Sequence, residues 1–273
     1  MARDSIPGRS LALGTTVTLV TLLVLIPLAV VGLTAGGMSG ERLSAALLSP
    51  RALAAFRLTF GASLAAAALD VVLGTYVAWI LVHYRFAGRP LLDALVDIPL
   101  ALPTAVTGIA LATLYSAHGW AGRVLEAHGL HVAYTALGVG LALAFVGFPF
   151  VVRTVQPVLA TLPVDLDEAA ASLGADRSTT IVRVTLPLLV PSMLAGFALA
   201  LARALGEYGS VIFISGNMPL RTEIVPLLIV TRLEEFDYQG AAAIATVLLL
   251  ASFGLLLAIN TLQRRLTVAR SGT

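Results

Sequence analysis

Uncharged apolar runs about as long as a bilayer is thick set the first limit on what this chain can become. Residues 11–33 hold no charged side chain, and about twenty apolar residues in a helix cross the hydrocarbon core. Five more apolar stretches follow at about 59–82, 92–116, 132–152, 188–205 and 239–262, separated by segments that hold most of the charge. In hydrocarbon each backbone N–H and C=O must find its partner within the segment, so such runs read as helices. The expected fold is all-α and integral to a membrane, with six transmembrane helices. Only 12% of the 273 residues are charged, about half the ~25% of a soluble domain.

Composition also removes several chemistries. All seventeen basic residues are arginine. A P-loop needs a lysine on the nucleotide phosphates, so ATP hydrolysis by that route is excluded. There is no cysteine, hence no disulfide, thiol catalysis or cysteine metal site. The arginines are scattered along the loops rather than gathered into a patch, which leaves nucleic-acid binding without support. His118, His128 and His131 share a segment read as a loop, but no metal-ligand spacing accompanies them and no metal is expected. Neither H-E-x-x-H nor G-x-S-x-G occurs, so no catalytic residues are assigned.

Charges and breakers within the apolar runs carry more information. The first ten residues, with Arg3 and Arg9, look like the start of a signal peptide. The run behind them is too long for that, and it reads as a retained first span softened at Pro27. The third run is interrupted by Pro99, Pro103 and Gly108, and broken helices are tolerated only where protein or water satisfies the freed backbone. It is either a kinked helix among neighbours or a border of a conduction path. Asp70 lies within the second run, as a proton relay or with a structural partner elsewhere in the bundle. Asp93 and Asp97 read as helix-end hydrogen-bonding groups. Six spans put both termini on one side, with residues 83–90 and 153–187. That side holds ten arginines and the other six, with Arg203 inside a span. The positive-inside rule makes the richer side cytoplasmic.

Residues 163–187, PVDLDEAAASLGADRSTTIVRVTLP, form a polar island on that side. Asp165 reads as an N-cap with Glu168 three residues on. Leu162, Leu166, Ala169 and Leu173 recur at helical spacing and give one apolar stripe. Gly174 supplies the turn that ends the helix. A second helix is expected from Asp176 to Leu186, with Pro187 opening the next apolar segment.

Glu168-Ala169-Ala170, then Gly174, then Val184-x-Leu186-Pro187 resembles the EAA signature of ABC-importer permeases, with Val184 where that pattern has isoleucine. The resemblance implies the type I importer permease fold with a cytoplasmic coupling helix, docked on a separate cytoplasmic ABC ATPase dimer. The coupling contacts would be Leu166, Glu168, Ala169, Ala170, Leu173, Gly174, Leu186 and Pro187. ATP and Mg would be bound by that partner, and no cofactor by this chain. A second homologous permease subunit and a periplasmic or tethered binding protein complete the implied assembly, in a bacterial cytoplasmic membrane.

Further on, Ala202-Arg203-Ala204-Leu205-Gly206-Glu207-Tyr208-Gly209, Ile214-Ser215-Gly216-Asn217 and Arg232-Leu233-Glu234-Glu235-Phe236-Asp237-Tyr238 resemble the T-type permease subunits of sulfate/thiosulfate importers. The first of these runs is shared with molybdate and tungstate permeases, so that alternative stays open. An ion-coupled secondary transporter is the reading from another class. Arg203 and Glu207, four apart, share a helical face. They are either a structural ion pair or an arginine lending positive potential to an anion path with its carboxylate holding it. Hydroxyls could ligand a tetrahedral dianion, which makes Pro103, Thr104, Thr107, Arg203, Glu207 and Ser215 the candidate path. The resemblance divides the chain into an N-terminal part (1–56), a permease core (57–265, with the hairpin at 163–187) and a tail (266–273).

Overall fold

A computed structural model describes residues 9–163 and 165–271; Arg3 lies outside them. Fifteen helices occur among the described residues: α1 (Arg9–Val20), α2 (Ile26–Gly36), α3 (Gly40–Leu47), α4 (Pro50–His83), α5 (Arg89–Val96), α6 (Ile98–Ala101), α7 (Thr104–Tyr115), α8 (Trp120–Ala127), α9 (Ala136–Thr161), α10 (Asp165–Ser172), α11 (Arg177–Thr180), α12 (Leu186–Leu205), α13 (Val211–Ile214), α14 (Val225–Glu234) and α15 (Tyr238–Ser271). They contain no strand.

The bundle is built round α9, which is buried on nearly every face. Against it lies α4, whose buried positions Ala52, Ala55, Thr59, Ser63, Ala66, Asp70, Gly74, Ala78 and Leu81 recur every three or four residues. That stripe is mostly small. With little hydrophobic drive between helices in lipid, close backbone approach supplies the packing energy. A Cβ on Gly74 would stand 2.9 Å from the Val151 side chain. The neighbouring contacts Asp70–Gly147 and Gly74–Val151 show that α4 and α9 run parallel. Ala200 against Gly147 and Gly196 against Val151 show α12 running antiparallel to both. Val151, Val152, Val155, Leu159, Leu81, Leu189 and Leu201 fill the space between the three. α15 covers α2, α12 and α14 on the outside.

Five helical stretches are long and apolar enough to cross a membrane: Leu11–Gly36, Pro50–His83, Ala136–Thr161, Arg177–Leu205 and Tyr238–Arg265. The third expected span is not one helix. Leu102 and Pro103 are extended, and the chain is divided into α5, α6 and the short α7. Pro103 is the cause, because the residue before a proline is pushed out of the helical region. Segment 118–131, expected as a loop, holds α8. The fourth span does not stop at Arg153 but runs on to Thr161. α15 likewise continues past 265 to Ser271.

The fifth span does not begin after Pro187 either. α11, a π turn at Ile181–Thr185 and α12 are one continuous stretch, with Leu186 N–H bonded to the Ile181 carbonyl. The same device precedes Pro27, where the π turn Thr21–Leu25 ends with Ile26 N–H on the Thr21 carbonyl. A proline ring inside a helix collides with the carbonyl four residues back. One wider turn just before the proline moves that carbonyl aside and lets the helix continue.

The short α7 is held by backbone contact. A Cβ on Gly108 would collide with the Ser210 carbonyl, and one on Gly209 with the Thr104 side chain. We predict that Gly108→Val lowers the thermal stability of the purified protein by about 1–3 kcal/mol equivalent, the range for overpacking a tight contact. Gly254→Ala, where a methyl meets open space, should leave the midpoint unchanged. Fluorescence-detected thermal melts of the two variants check both.

Candidate functional site

Two regions bring the candidate residues together. The first is the hairpin between α9 and α11. Asp165 is the first residue of α10 rather than the residue ahead of it, so its cap role gives way to a place in the first turn with Glu168. Negative charge there complements the helix dipole. At the other end, Gly174 N–H bonds to the Ala171 carbonyl at 2.9 Å and Ala175 N–H to the Ala170 carbonyl at 3.0 Å. This pair of bonds is the Schellman closure, and it needs a left-handed residue at position 174. Gly174 has φ +81°. Asp176 then caps α11, accepting from Thr179 N–H at 2.9 Å and from the Ser178 hydroxyl at 2.9 Å. Hydrogen bonds from Thr179 and Ser178 hold its carboxyl below the usual aspartate range.

The two faces of α10 differ sharply. Ala170 is buried against the hairpin, and Leu166 is half-buried. Glu168 and Ala169 are exposed, and Leu173 is 89% exposed. Leu186 and Pro187 lie beyond the π turn, partly covered within the long helix. A bare leucine beside a rigid glycine closure is an unpartnered apolar point on a fixed frame. The expected stripe therefore splits, with Leu166 turned inward and Leu173 outward.

The second region joins the end of α12 to α7. Glu207 is 1% exposed. One carboxylate oxygen meets Arg203 at 2.5 Å, and the other accepts from Ser210 N–H and the Ser210 hydroxyl, both at 2.8 Å. A buried carboxylate is tolerable only with its charge paired and its lone pairs occupied, and Glu207 meets both conditions. Arg203 keeps 31% of its side chain exposed. Ser215 is fully buried, and its hydroxyl donates to Asn217 Oδ1 at 2.6 Å. Thr104 packs on Gly209, Pro103 is exposed at the start of α7, and the buried Thr107 hydroxyl has no hydrogen-bond partner among the described residues. The structure thus brings α7, through Thr104 and Gly108, against the turn after α12 where Glu207 joins Arg203 to Ser210, while Ser215 closes the loop after α13.

Several important residues gave no local signal. Arg153 spans two helices: its Nε and Nη2 meet Asp97 at 2.8 and 2.6 Å, and its Nη1 meets Asp93 and Gln156 at 2.7 and 2.8 Å. Asp93 and Asp97 are therefore clamps on α9 rather than helix-end groups. Asp70 is 1% exposed in α4, facing Gly147, and its Oδ2 has no partner among the described residues. The structural partner expected for it is not found there. His131 lies 3.5 Å from Glu126, but no group of three metal-ligating side chains occurs among the described residues.

Comparison with known proteins follows the same geometry. Residues 70–268 match the family described as the binding-protein-dependent transport system inner membrane component. The chain is 47% identical over 264 residues to the sulfate transport system permease protein CysT of Salmonella typhimurium, covering 97% of this chain and 95% of the relative. The corresponding protein of Escherichia coli gives the same identity and coverage. That of Synechococcus elongatus is 48% identical over 243 residues, 89% of this chain and 87% of the relative. Among solved structures, a bacterial ABC transporter that imports the acidic polysaccharide alginate superimposes with TM-score 0.76 at 17% identity, covering 94% of each chain. The alginate transporter with its pentasaccharide-bound periplasmic protein gives 0.72 at 15% identity and the same coverage.

The Glu207 pairing predicts a specific order of stabilities. Arg203→Ala leaves a buried carboxylate without its counter-charge and should cost about 3 kcal/mol. The double variant Arg203→Ala/Glu207→Gln has no charge left to bury, and should melt above the single variant. Thermal melts of the purified variants, compared as a double-mutant cycle, read that difference.

Proposed function

The chain belongs to the family of binding-protein-dependent transport system inner membrane components, and from that premise we propose that it is the membrane-spanning permease subunit of an ATP-driven sulfate importer. The observation that carries this is the 47% identity over 97% of the chain to sulfate transport permeases. Such a subunit is not itself the ATPase, in keeping with a chain that has no lysine for a P-loop.

In this reading α10 is the coupling helix. Leu173 and the exposed Ala169 and Glu168 meet a groove on a cytoplasmic ABC ATPase dimer, which binds the ATP and Mg, as amphipathic anchors do in helix-in-groove recognition. The physical support is that α10 is tied at both ends to the bundle's central helices, α9 before it and the α11–α12 stretch after it. Force on α10 therefore reaches both together, and the π turn at Ile181–Thr185 is the softest point between hairpin and bundle. Closure of the ATPase would then switch the bundle between inward and outward openings, a biased two-state equilibrium.

The hairpin end is the cytoplasmic one, with both termini, on the arginine distribution. A second homologous permease completes the pathway, and a periplasmic or tethered protein delivers the anion. The alginate transporter solved with its periplasmic protein supports that arrangement by likeness of fold. Along the pathway, Thr104 and the exposed part of Arg203 offer donors to a passing dianion, with the buried Thr107 behind them. Glu207 and Ser215 act behind them as supports.

The test is uptake of radiolabelled sulfate into proteoliposomes holding the chain with its ATPase, second permease and binding protein. Sulfate uptake and sulfate-stimulated ATP hydrolysis are expected, with thiosulfate competing. Leu173→Glu should lower both by at least tenfold while the protein elutes and melts as the wild type does, and Gly174→Trp, strained at φ +81°, should lower both and also melt earlier. Uptake of molybdate in place of sulfate would overturn the substrate. Uptake without any ATPase would overturn the coupling.

A further inference from the structure

We propose that Arg57 and Arg221 form an oxyanion-binding subsite at the end of the bundle opposite the hairpin. The two side chains line one cavity of about 540 Å³ between the start of α4, the start of α9 and the loop ahead of α14. The rest of its wall is alanine, leucine and the bare Gly61, so among the described residues the two arginines are its only polar side chains. Low-dielectric walls concentrate the field of a charge placed among them.

Charge accounting leaves these two arginines uncompensated. Glu223 is the acid nearest Arg221 in sequence, but both its oxygens are taken by Arg51, at 2.7 Å each. Arg232 faces Glu235 and Asp237. Neither Arg57 nor Arg221 has an ion-pair partner among the described residues.

The pair is also held in place. Arg51–Glu223 fastens the loop to the first turn of α4, and Val225 N–H donates to the Thr59 hydroxyl at 2.8 Å two turns further on. Within the loop, the Met218 carbonyl accepts from the N–H groups of Arg221, Thr222 and Glu223, and Met218 N–H donates to the Thr222 hydroxyl at 3.0 Å. Leu220 is held at φ +66° in the same turn. Backbone strain of this kind persists only where the surroundings over-determine it. The loop backbone is thus fixed where Arg221, exposed like Arg57, joins it in lining the cavity.

Two guanidinium groups across an apolar cleft suit a tetrahedral oxyanion, singly or doubly charged, because each offers a planar fork of donors. Two sources carry that chemistry: the transported sulfate on its way in, and the phosphate of a lipid headgroup. The first rests on the sulfate-importer reading; the second does not.

The experiment uses the full chain in nanodiscs, with equilibrium binding of radiolabelled sulfate and native mass spectrometry for retained phospholipid. Sulfate binding that saturates, weakens at least tenfold in Arg57→Gln/Arg221→Gln, is partly kept in Arg57→Lys/Arg221→Lys and is unchanged in Arg123→Gln supports the subsite with sulfate as its occupant. A phospholipid adduct lost in the same double variant, with no sulfate bound, supports the site with lipid phosphate as its occupant. Sulfate and lipid retention both unaltered by the double variant, with its elution and melting unchanged, overturn the subsite. Uptake by the assembled wild-type importer is scored separately: no sulfate uptake there sinks the importer reading, whatever these arginines bind.

Discussion

Everything in this fold follows from the demand that backbone polar groups in hydrocarbon be satisfied by protein. Five stretches meet it alone, as helices of 26 to 34 residues. Where the chain breaks, at Leu102–Pro103 and between α12 and α14, the two irregular segments meet one another. Gly108 and Gly209 remove the side chains that would hold them apart, and Glu207 accepts the Ser210 N–H and hydroxyl within the break. The break is therefore a single feature made of two distant pieces of chain. It is also the place where polar groups gather in an otherwise apolar bundle, which is what an anion path needs.

The same economy governs the ionised side chains. Arg153, inside α9, is neutralised by Asp93 and Asp97 from the segment that leads into α7. Arg51 and Glu223 do the same at the opposite end. Each pair ties a central helix to an irregular segment, so charge pairing positions backbone that no regular hydrogen-bond ladder holds. Removing one member of such a pair leaves the other uncompensated, and this makes the pairs stronger determinants of geometry than of net stability.

How much of this could be read in advance depended on range along the chain. The hairpin was legible because its determinants are local: the turn at Gly174 and the helix start at Asp176 lie two residues apart, whereas the split that turns Leu166 inward and leaves Leu173 bare was not foreseen. Family and substrate class were legible because the motifs at 168–187 and 203–238 keep fixed spacing. The clamp of Arg153 on Asp97 was not, since 56 residues separate them and a lone arginine after an apolar run looks like the end of a span. The third span was read as interrupted, but its division into separate helices at Pro103 escaped for a related reason. Its 25 residues satisfy a hydropathy window, and only the backbone clash ahead of Pro103 shows that no single helix can hold them. The helix through Pro187 was missed because a π turn, which leaves no mark in composition, absorbs the proline.

The central claim is that α10 carries force between an ATPase and the α9–α12 pair. Photo-cross-linking from a benzophenone amino acid placed at position 173, in the assembled importer, tests it most directly. A cross-link to the ATPase subunit from position 173, absent from exposed position 124 in α8, and changing in yield between nucleotide-free and ATP-bound states, is the result predicted. An intact, transport-active complex in which position 173 reaches no ATPase would contradict it.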